Sequence, residues 1–490
     1  MSGSFFILRN KELEMKKVKL FPYWKEIVAD LETPVSAFLK LRGLGAKFLL
    51  ESVEKGEKLG RYSFIGLNPL STIRIDEGKI FVDGSRVNSE PQEFLEKLRR
   101  VVFSYEVLPK PELSPLIGGW VGYLGYNIVR FFEPVKLDLS DGLPLPEGVL
   151  SLMRDIVVFD HITHSVKIIT LTDRREASEA VFKRIEEIKT ALNRFLDLRG
   201  KLRKREKSKR PKGNISQSDF EGLVKKAKEY ILAGDVFQVV LSQRFTGETS
   251  APPFEIYRAL RTINPSPYMF FLDFDDFQLI GSSPEALAKL RGGIASVHPI
   301  AGTRPRGKTP EEEKELEKEL FQSEKEIAEH VMLVDLARND LGKVCLPHSI
   351  EVKERMKLEK YSHVMHIVSE VIGRIDPRFD ALDLFRAAFP AGTVTGAPKI
   401  RAMEIIEELE GMRRGPYAGA LGYFGLDGNM DMCIAIRMIV YQQGRYYLQA
   451  GAGIVADSDP SAEYWETLNK MEGLYQAIKL SEGEDDLTNR

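Results

Sequence analysis

Paired strand patterns constrain the fold of this chain more than any other feature of its sequence. Leu49–Gly66 predicts a strand, a polar turn and a second strand, and Ile156–Asp173 predicts a hairpin. A third hairpin is predicted near the end of the chain, where Asn429–Val455 turns around Gln442–Gly444. Helical patterns are grouped between these hairpins and do not alternate strictly with single strands. This order predicts the α+β class with antiparallel sheets.

Length and composition limit the architecture further. The 490 residues exceed the roughly 250–300 that one hydrophobic core usually serves, so two large units or one intertwined pair are expected. Hydrophobic residues make up 43% and charged residues 29% of the chain, which is typical of a soluble globular protein. A formal net charge of −2 excludes a surface that is basic or acidic overall.

The sequence also limits where such a chain would work. Two cysteines, Cys345 and Cys433, are too few for a disulfide framework or a cysteine-based zinc site. The first residues contain too short an apolar run for a signal peptide, and no apolar run approaches the ~20 residues of a membrane span. We therefore expect a cytoplasmic protein with no membrane partner.

The composition changes sharply at Arg199–Asn214, which is almost entirely basic and polar. This change predicts a linker or exposed loop over residues 199–215, between an N-terminal unit (residues 20–198) and a C-terminal unit (residues 216–480). The basic run could instead dock a non-catalytic binding protein on nucleic acid. It lacks interleaved aromatic side chains, so a solvated connector is favoured and no nucleic-acid partner is expected.

Two glutamate pairs with helical spacing give the strongest chemical signal. Glu463 and Glu466 lie three residues apart on a predicted helix, one turn before Lys470, so the three side chains share one face. Glu326 and Glu329 repeat this spacing far upstream. Four carboxylates on facing helices would repel one another unless a cation lay between them, and Mg²⁺ prefers such oxygen ligands. For the upstream pair a solvated helix face is the alternative, because other glutamates nearby have the same spacing.

A candidate anion site lies close to the second glutamate pair in sequence. Arg437 is predicted in the middle of an apolar strand, where a buried guanidinium needs an anionic partner. The hairpin brings it near Gly451 and Gly453, whose missing Cβ atoms let backbone N–H groups approach an anion. These residues predict a carboxylate site, with an internal Arg–Asp pair as the alternative. Two loops rich in Gly, Pro and Thr, His298–Gly307 and Pro390–Ile406, would add donors for an oxyanion.

Around these candidate residues the chain resembles the chorismate-utilising enzymes, and most closely the large subunits (component I) of the anthranilate synthases. The resemblance covers nearly the whole chain, and its most specific part runs from about Ser216 to Leu480. The motifs that carry it are GDVFQVVLSQR, GSSPE, HPIAGTRPRG, EIAEHVMLVDLARNDLG, SHVMHIVSEVIG, PAGTVTGAPK, GPYAGALGYF, IAIRM and GAGIVADSDPSAEYWET. The resemblance implies two intertwined domains, an N-terminal regulatory one and a C-terminal catalytic one. Their antiparallel sheets would pack as a sandwich with helices on the outside.

The resemblance also implies which residues bind the metal ion and the substrate. Glu329 and Glu466 would ligate Mg²⁺, and Glu326 and Glu463 would support it through water. Chorismate carries two carboxylates, one on the ring and one on the enolpyruvyl arm. The residues implied to hold chorismate are Gly302, Thr303, Tyr417, Arg437, Gly451, Ala452, Gly453 and Lys470.

A further set of residues would carry the chemistry. The resemblance implies that Glu285 protonates the departing C4 hydroxyl, that His366 assists pyruvate elimination and that Thr393 lines the cavity; a core histidine is the alternative for His366. Gln238 stands where water-adding relatives carry a basic lysine, and Ala301 where aminodeoxychorismate-forming relatives carry one. The implied activity is a Mg²⁺-dependent lyase that converts chorismate and ammonia to anthranilate and pyruvate. The alternatives are aminodeoxychorismate synthase component I and isochorismate synthase.

Regulation and a partner are implied as well. Leu49–Ser52 and Asn264–Phe270 resemble the family's feedback site for L-tryptophan, although the first could be an ordinary strand end. The residues expected to bind this inhibitor are Leu50, Glu51, Ser52, Pro267, Tyr268 and Met269. Neither cysteine lies in a context suited to a glutaminase nucleophile. Ammonia for tryptophan biosynthesis would therefore come from solution or from a separate glutamine amidotransferase subunit, with which the family implies a heterotetramer.

Overall fold

The computed structural model describes residues 17–52, 60–87, 93–107, 110, 113, 115–137, 142–174, 179–196, 207–360 and 364–483, without the side chains of Thr303, Lys325 and Val364. The helices are α1 (Pro34–Leu41), α2 (Phe94–Val102), α3 (Glu179–Leu192), α4 (Gln217–Leu232), α5 (Pro253–Ile263), α6 (Pro310–Gln322), α7 (Glu324–Gly342), α8 (Ala381–Ala388), α9 (Lys399–Glu410) and α10 (Pro460–Ser481). Short 3₁₀ helices span Arg42–Leu44, Tyr126–Phe131 and Gly392–Val394.

Strands in the first half of the chain are β1 (Val18–Val28), β2 (Ala46–Glu51), β3 (Tyr62–Asp76), β4 (Lys79–Val82), β5 (Ser85–Val87), β6 (Tyr105–Val107), β7 (Gly119–Leu124), β8 (Gly148–Asp160), β9 (Ser165–Thr172), β10 (Lys212–Gly213) and β11 (Gln238–Glu248). Those in the second half are β12 (Tyr268–Asp273), β13 (Gln278–Ser283), β14 (Ala286–Arg291), β15 (Ile294–Val297), β16 (Ile300–Pro305), β17 (Glu351–Lys360), β18 (Val364–Arg374), β19 (Gly396–Ala397), β20 (Ala420–Gly425), β21 (Met430–Ile434), β22 (Met438–Gln442) and β23 (Arg445–Ile454).

Two antiparallel sheets share the long strands β3 and β8. The first sheet has the order β1–β9–β8–β3–β2–β12–β13–β22–β23–β11, and β10 and β19 pair with the outer edge of β11. The second sheet has the order β5–β4–β3–β8–β7–β20–β21–β14–β15–β18, and β16 and β17 pair with β18. A register shift between Pro69 and Ser71 bends β3 where it passes from one sheet to the other.

Alternation along the strands places one core between the sheets and another under the helices. In β12, for example, Phe270 and Leu272 join the cluster between the sheets. Met269 and Phe271 point the other way and pack with residues of α1, α3, α5 and α10. The predicted α+β class, with a sandwich of antiparallel sheets and helices outside, is confirmed.

Strands from the N-terminal part of the chain complete both sheets. β2 lies between β3 and β12, and β7 lies between β8 and β20. The hydrogen bonds of each sheet therefore run through both halves, as expected for an intertwined pair. The division into residues 20–198 and 216–480 stays a prediction.

The predicted basic connector lies partly outside the described residues, since residues 197–206 are not described. The part that follows packs against the end of α10: Ser208 N donates to Glu482 Oε2 (2.8 Å), and Arg210 pairs with Glu472 (2.9 Å). Within the described ranges, no helix is long and apolar enough to cross a membrane.

Candidate functional site

The site is built around two neighbouring corners, where the chain passes from the first sheet to the second and back. Two residues separate β13 from β14, the second being Glu285, and residues 435–437 separate β21 from β22. β13 pairs with β22 in the first sheet, whereas β14 pairs with β21 in the second. Ser282 N donates to the carbonyl of Arg437 and Ile434 N donates to the carbonyl of Glu285, each at 3.0 Å. The two corners that carry Glu285 and Arg437 therefore lie side by side.

The prediction that Arg437 lies in the middle of a strand is wrong. Its φ of 51° is left-handed and turns the chain at the corner between β21 and β22. The apolar run that contains it is two strands in different sheets, which hydrophobicity alone does not reveal. Burial lowers the pKa of the guanidinium, while Tyr417 and Glu466 oppose that shift. Its Nη1 donates to the carbonyl of Lys470 (2.9 Å).

Glu285 has the protonation state that a general acid requires. Burial raises the pKa of its carboxyl to about 8, although the hydrogen bond from Thr393 lowers it. Thr393 Oγ1, in the 3₁₀ turn, donates to Glu285 Oε1 (3.0 Å). Glu285 therefore keeps its proton at neutral pH and can give it to a leaving hydroxyl.

His366 is oriented by a backbone carbonyl. Its Nδ1 lies 3.2 Å from the oxygen of Gly302 and must donate to it, because a carbonyl only accepts. This bond puts the ring proton on Nδ1 and makes Nε2 the basic nitrogen. Burial lowers the pKa of the imidazole, so the neutral form is favoured near pH 7. The backbone of Thr303 lies opposite His366 in the β16–β18 pair, and its side chain is outside the description.

The two glycines of β23 are required by their neighbours. A Cβ added to Gly453 would lie 2.6 Å from Gln238 Nε2, and one added to Gly451 would lie 2.9 Å from Tyr417 Oη. Ala452 lies between them and is buried. Burial raises the pKa of the Tyr417 phenol to about 12, so this group remains a hydrogen-bond donor. The backbone of β23 is thus lined by an amide and a phenol.

The acidic helices flank the same strand ends. Gln238 Nε2 lies 3.5 Å from Glu329 Oε1, which brings α7 beside the start of β11. Glu466 forms an ion pair with Lys470, whose Nζ also donates to the carbonyl of Gly451 (3.0 Å). α7 and α10 therefore approach the β11–β23 pair and bring their glutamates toward one region.

The donors available there are oxygens, which suit a hard cation such as Mg²⁺. Glu326 Oε1 accepts from Arg304 Nη1 (3.2 Å), and Glu463 lies one turn before Glu466 on α10. Among the described residues, no three acidic, histidine or cysteine side chains come together in a way that could hold a metal ion. Lys470 pairs with Oε1 of Glu466, so Oε2 of that carboxylate is the oxygen that would take part in joint binding of one ion by α7 and α10.

Known proteins share this architecture and sequence. The model of the chorismate binding enzymes matches residues 45–476. Anthranilate synthase component 1 of Aquifex aeolicus is 47% identical over 94% of this chain and 95% of its own length. The chain belongs to the chorismate binding enzyme family.

Solved structures support the same assignment of fold. Anthranilate synthase component I of Streptococcus pneumoniae superimposes with a TM-score of 0.78 at 37% identity, covering 92% of this enzyme and 98% of that chain. The menaquinone-specific isochorismate synthase of Escherichia coli gives 0.71 at 19% identity, covering 93% and 94%, and shows the shared fold alone.

The two segments predicted to bind tryptophan are adjacent strands of this chorismate binding enzyme. Glu51 lies opposite Met269, and Leu50 opposite Phe270, in the β2–β12 pair. Ser52 follows at the end of β2, and Pro267 precedes β12. The two segments lie far apart in the sequence, and the structure brings them together.

Within that group, Glu51 differs from its neighbours. Its carboxylate is buried and accepts hydrogen bonds from the Tyr257 hydroxyl and from Arg261 Nε (3.1 Å), both on α5. Side chains alternate along a strand, so Glu51 points away from the face shared by Leu50 and Ser52. Its side chain is thus engaged with α5, and only its backbone lies beside β12.

Tyr268 is engaged in the opposite direction, toward the second sheet. Its hydroxyl donates to Asp431 Oδ1 (3.0 Å), and Lys289 Nζ lies 5.2 Å from the ring centroid. Burial raises the pKa of the Tyr268 phenol well above its usual range. The segment predicted to bind tryptophan therefore contacts strands β14 and β21. These strands adjoin the corners that carry Glu285 and Arg437.

Sequence reasoning missed a buried ion pair beside the site. The side chains of Glu410 and Arg414 are each only 1% exposed. Arg414 donates to the carbonyls of Val394 (2.6 Å) and Val240 (2.7 Å), and Glu410 accepts from Ser242 N (2.6 Å). The only sequence signal was the i,i+4 spacing, which usually marks an exposed helix pair.

Proposed function

We propose that this enzyme is the large subunit of an anthranilate synthase. It would convert chorismate and ammonia to anthranilate, pyruvate and water. The observation that carries the proposal is the neutral amide of Gln238, which lies 3.5 Å from Glu329 and against Gly453. An amide cannot deprotonate water, whereas ammonia needs no base before it attacks. The name of the Aquifex aeolicus relative supports the same activity.

Two anionic ends of chorismate fit two parts of the site. The enolpyruvyl carboxylate would bind Arg437, the Tyr417 hydroxyl and the backbone of Gly453, where a guanidinium and neutral donors converge. The ring carboxylate would lie toward Lys470 and the acidic helices. Each end has a different set of partners, so the substrate would bind in one orientation.

In the first step, ammonia forms a bond to C2 as the C4–O bond breaks. The ring double bonds shift toward C4, and the hydroxyl leaves as water with the proton of Glu285. The raised pKa of Glu285, about 8, keeps this proton available at neutral pH. The ammonium formed at C2 then loses one proton to solvent, which leaves an amine.

In the second step, the amine intermediate becomes aromatic. Nε2 of His366 takes the proton from C2, and its C–H electrons enter the ring as the C3–O bond breaks. The enolpyruvyl group leaves as the enolate of pyruvate and is protonated to pyruvate. The Gly302 carbonyl would keep the histidine in the tautomer that accepts this proton.

Mg²⁺ held by Glu329 and Glu466, with Glu326 and Glu463 acting through water, would supply positive charge for the ring carboxylate. A separate glutamine amidotransferase subunit would deliver ammonia, in a heterotetramer. L-tryptophan would inhibit the enzyme by binding at the paired strands β2 and β12. Residues 20–198 would form the regulatory unit, and residues 216–480 would form the catalytic unit.

The test is to incubate the purified chain with chorismate and ammonium chloride, with and without Mg²⁺, and to separate the products by chromatography. We expect equal amounts of anthranilate and pyruvate, formed only when Mg²⁺ is present. Omitting ammonium controls for water as the nucleophile. Isochorismate or aminodeoxychorismate as the main product would overturn the proposal.

A further inference from the structure

We propose that Arg414 is a positioning residue of the active site. Its guanidinium holds the turn that contains Thr393 and the strand opposite Gly453 in one fixed arrangement. The inference rests on the proposed function, because these residues are the ones assigned to acid catalysis and substrate binding there. Arg414 itself would touch neither substrate nor metal ion.

The guanidinium contacts several separate elements. Nε and Nη2 of Arg414 form a fork with the carboxylate of Glu410, at 2.9 and 2.6 Å. Nη1 donates to the carbonyl of Val394, and Nη2 also donates to the carbonyl of Val240. The aromatic ring of Tyr126, from the N-terminal half, lies 4.9 Å from the guanidinium carbon. One side chain thus joins α9, the 3₁₀ turn, β11 and the N-terminal half.

The ion pair fills a gap at the edge of the first sheet. The outer edge of β11 pairs with β19 at residues 238–239 and with β10 at residues 245–246. Between these pairings, the Val240 carbonyl accepts from Arg414 and the Ser242 N–H donates to Glu410. The two charged side chains therefore replace the hydrogen bonds of a missing strand segment. They also fix how far the turn after α8 stands from β11.

The two carbonyls that accept from Arg414 lie close to candidate site residues, one by a single residue along the chain and the other across one strand pair. Val394 follows Thr393, which donates to Glu285. Across the β11–β23 pair, Val240 faces Gly453. A displacement of the guanidinium would therefore move the partner of the general acid and the backbone of the anion site together.

Stability alone is a weak explanation for such a pair. Removing two charges from water is unfavourable, and apolar replacements of buried pairs are often as stable. Apolar side chains could fill the volume of the ion pair, but they could not hold the carbonyls of Val240 and Val394 at a fixed distance. Arginine does so because its planar fork has several donors in fixed directions.

The decisive variant is Arg414→Lys, which keeps a cation beside Glu410 but loses the fork. We expect kcat to fall about 100-fold, the usual cost of misplacing catalytic groups by roughly 1 Å. The matched control is Arg184→Lys on α3, where Arg184 Nε donates to the fully buried carboxylate of Asp155 (2.9 Å). That change also disturbs an ion pair with a buried carboxylate, but we expect its kcat to stay within twofold of the wild type.

A second readout separates positioning from a general loss of stability. The hydrogen bond from Thr393 lowers the pKa of Glu285. Loosening the turn would weaken this bond and would therefore raise that pKa. The alkaline limb of the kcat profile should therefore move to higher pH in Arg414→Lys. Thr393→Val should produce a similar move, and the double variant should move no further. Additive shifts would show that Arg414 does not act through Thr393.

A folded Arg414→Lys enzyme with wild-type kcat and an unshifted alkaline limb would overturn the inference. If that variant does not fold, Glu410→Asp serves instead, because it keeps the charge and withdraws the carboxylate from Ser242. The same two readouts and outcomes then apply. The identity of the product formed by the wild-type enzyme tests the proposed function. The ratio of variant to wild-type turnover tests the positioning role of Arg414, and this ratio can be measured whichever product forms.

Discussion

Replacing Glu285 with glutamine should stabilise the enzyme while removing its activity. Burial raises the pKa of this carboxyl from 4.5 to about 8. Between these values the unfolded chain releases the proton and the folded chain keeps it. The folded state therefore loses about 1.4 kcal/mol per pH unit relative to a neutral side chain. The loss approaches roughly 4 kcal/mol near pH 8, an upper bound because Glu285 keeps some contact with solvent.

Glutamine has nearly the same size and can still accept the hydrogen bond from Thr393, but it does not ionise. The stability difference between Glu285→Gln and the wild type should therefore be about 1 kcal/mol or less at pH 5 and should grow toward pH 8. Turnover should fall by a factor of about 10² to 10⁴, because the C4 hydroxyl would leave without a general acid. A gain in stability with a loss of activity distinguishes this change from simple damage to the fold.

Urea unfolding at pH 5, 6.5 and 8 measures the difference, since titrating groups common to both proteins cancel. The control is Glu248→Gln, whose side chain is 74% exposed at the end of β11, and its difference from the wild type should not change with pH. A flat difference for Glu285→Gln across this range would refute the raised pKa. The assignment of Glu285 as an acid that is protonated at neutral pH would then fail.

The remaining predictions test the metal, the regulation and the anion site. Glu466→Gln should abolish turnover without unfolding the chain, checked by circular dichroism; retained Mg²⁺-dependent activity would remove it from the metal shell. Ser52→Ala or Tyr268→Ala should raise the tryptophan concentration for half inhibition and spare uninhibited activity, and unchanged inhibition in both would contradict the regulatory assignment. Gly453→Ala should raise KM for chorismate about tenfold, because its Cβ would lie 2.6 Å from Gln238 Nε2 and displace the amide; an unchanged KM would place the carboxylate elsewhere.

Features with a local cause could be predicted from the sequence. The last hairpin turns at Gln443 and Gly444, whose φ values of 49° and 85° are both left-handed, as a tight two-residue turn requires. The carboxylates of α10 share a face because helical spacing fixes it. The expectation that Leu49–Ser52 meets Asn264–Phe270 followed only from the family resemblance, and their pairing as strands β2 and β12 was not predicted, since no local pattern determines which strands meet.

Features that depend on distant partners could not be predicted in this way. Arg437 looked like a strand residue because the apolar run around it continues, although the chain changes sheets there. Glu51 looked equivalent to Ser52, but α5 supplies partners that hold its carboxylate on the opposite face. The burial of Arg414 was hidden for the same reason, because its partners are backbone carbonyls and have no sequence signature.

These exceptions share a physical cause, which also explains where the site lies. The N–H and C=O groups of a strand inside a sheet are hydrogen-bonded to the neighbouring strands, so its backbone has little capacity to bind a ligand. At the sandwich corners and at the gap in β11, that pairing is interrupted. Glu285 and Arg437 occupy the corners, and the Glu410–Arg414 pair occupies the gap. The fold therefore concentrates polar groups where its regular hydrogen bonding ends, with the candidate general acid and the candidate anion-binding arginine at the corners and the buried ion pair at the gap.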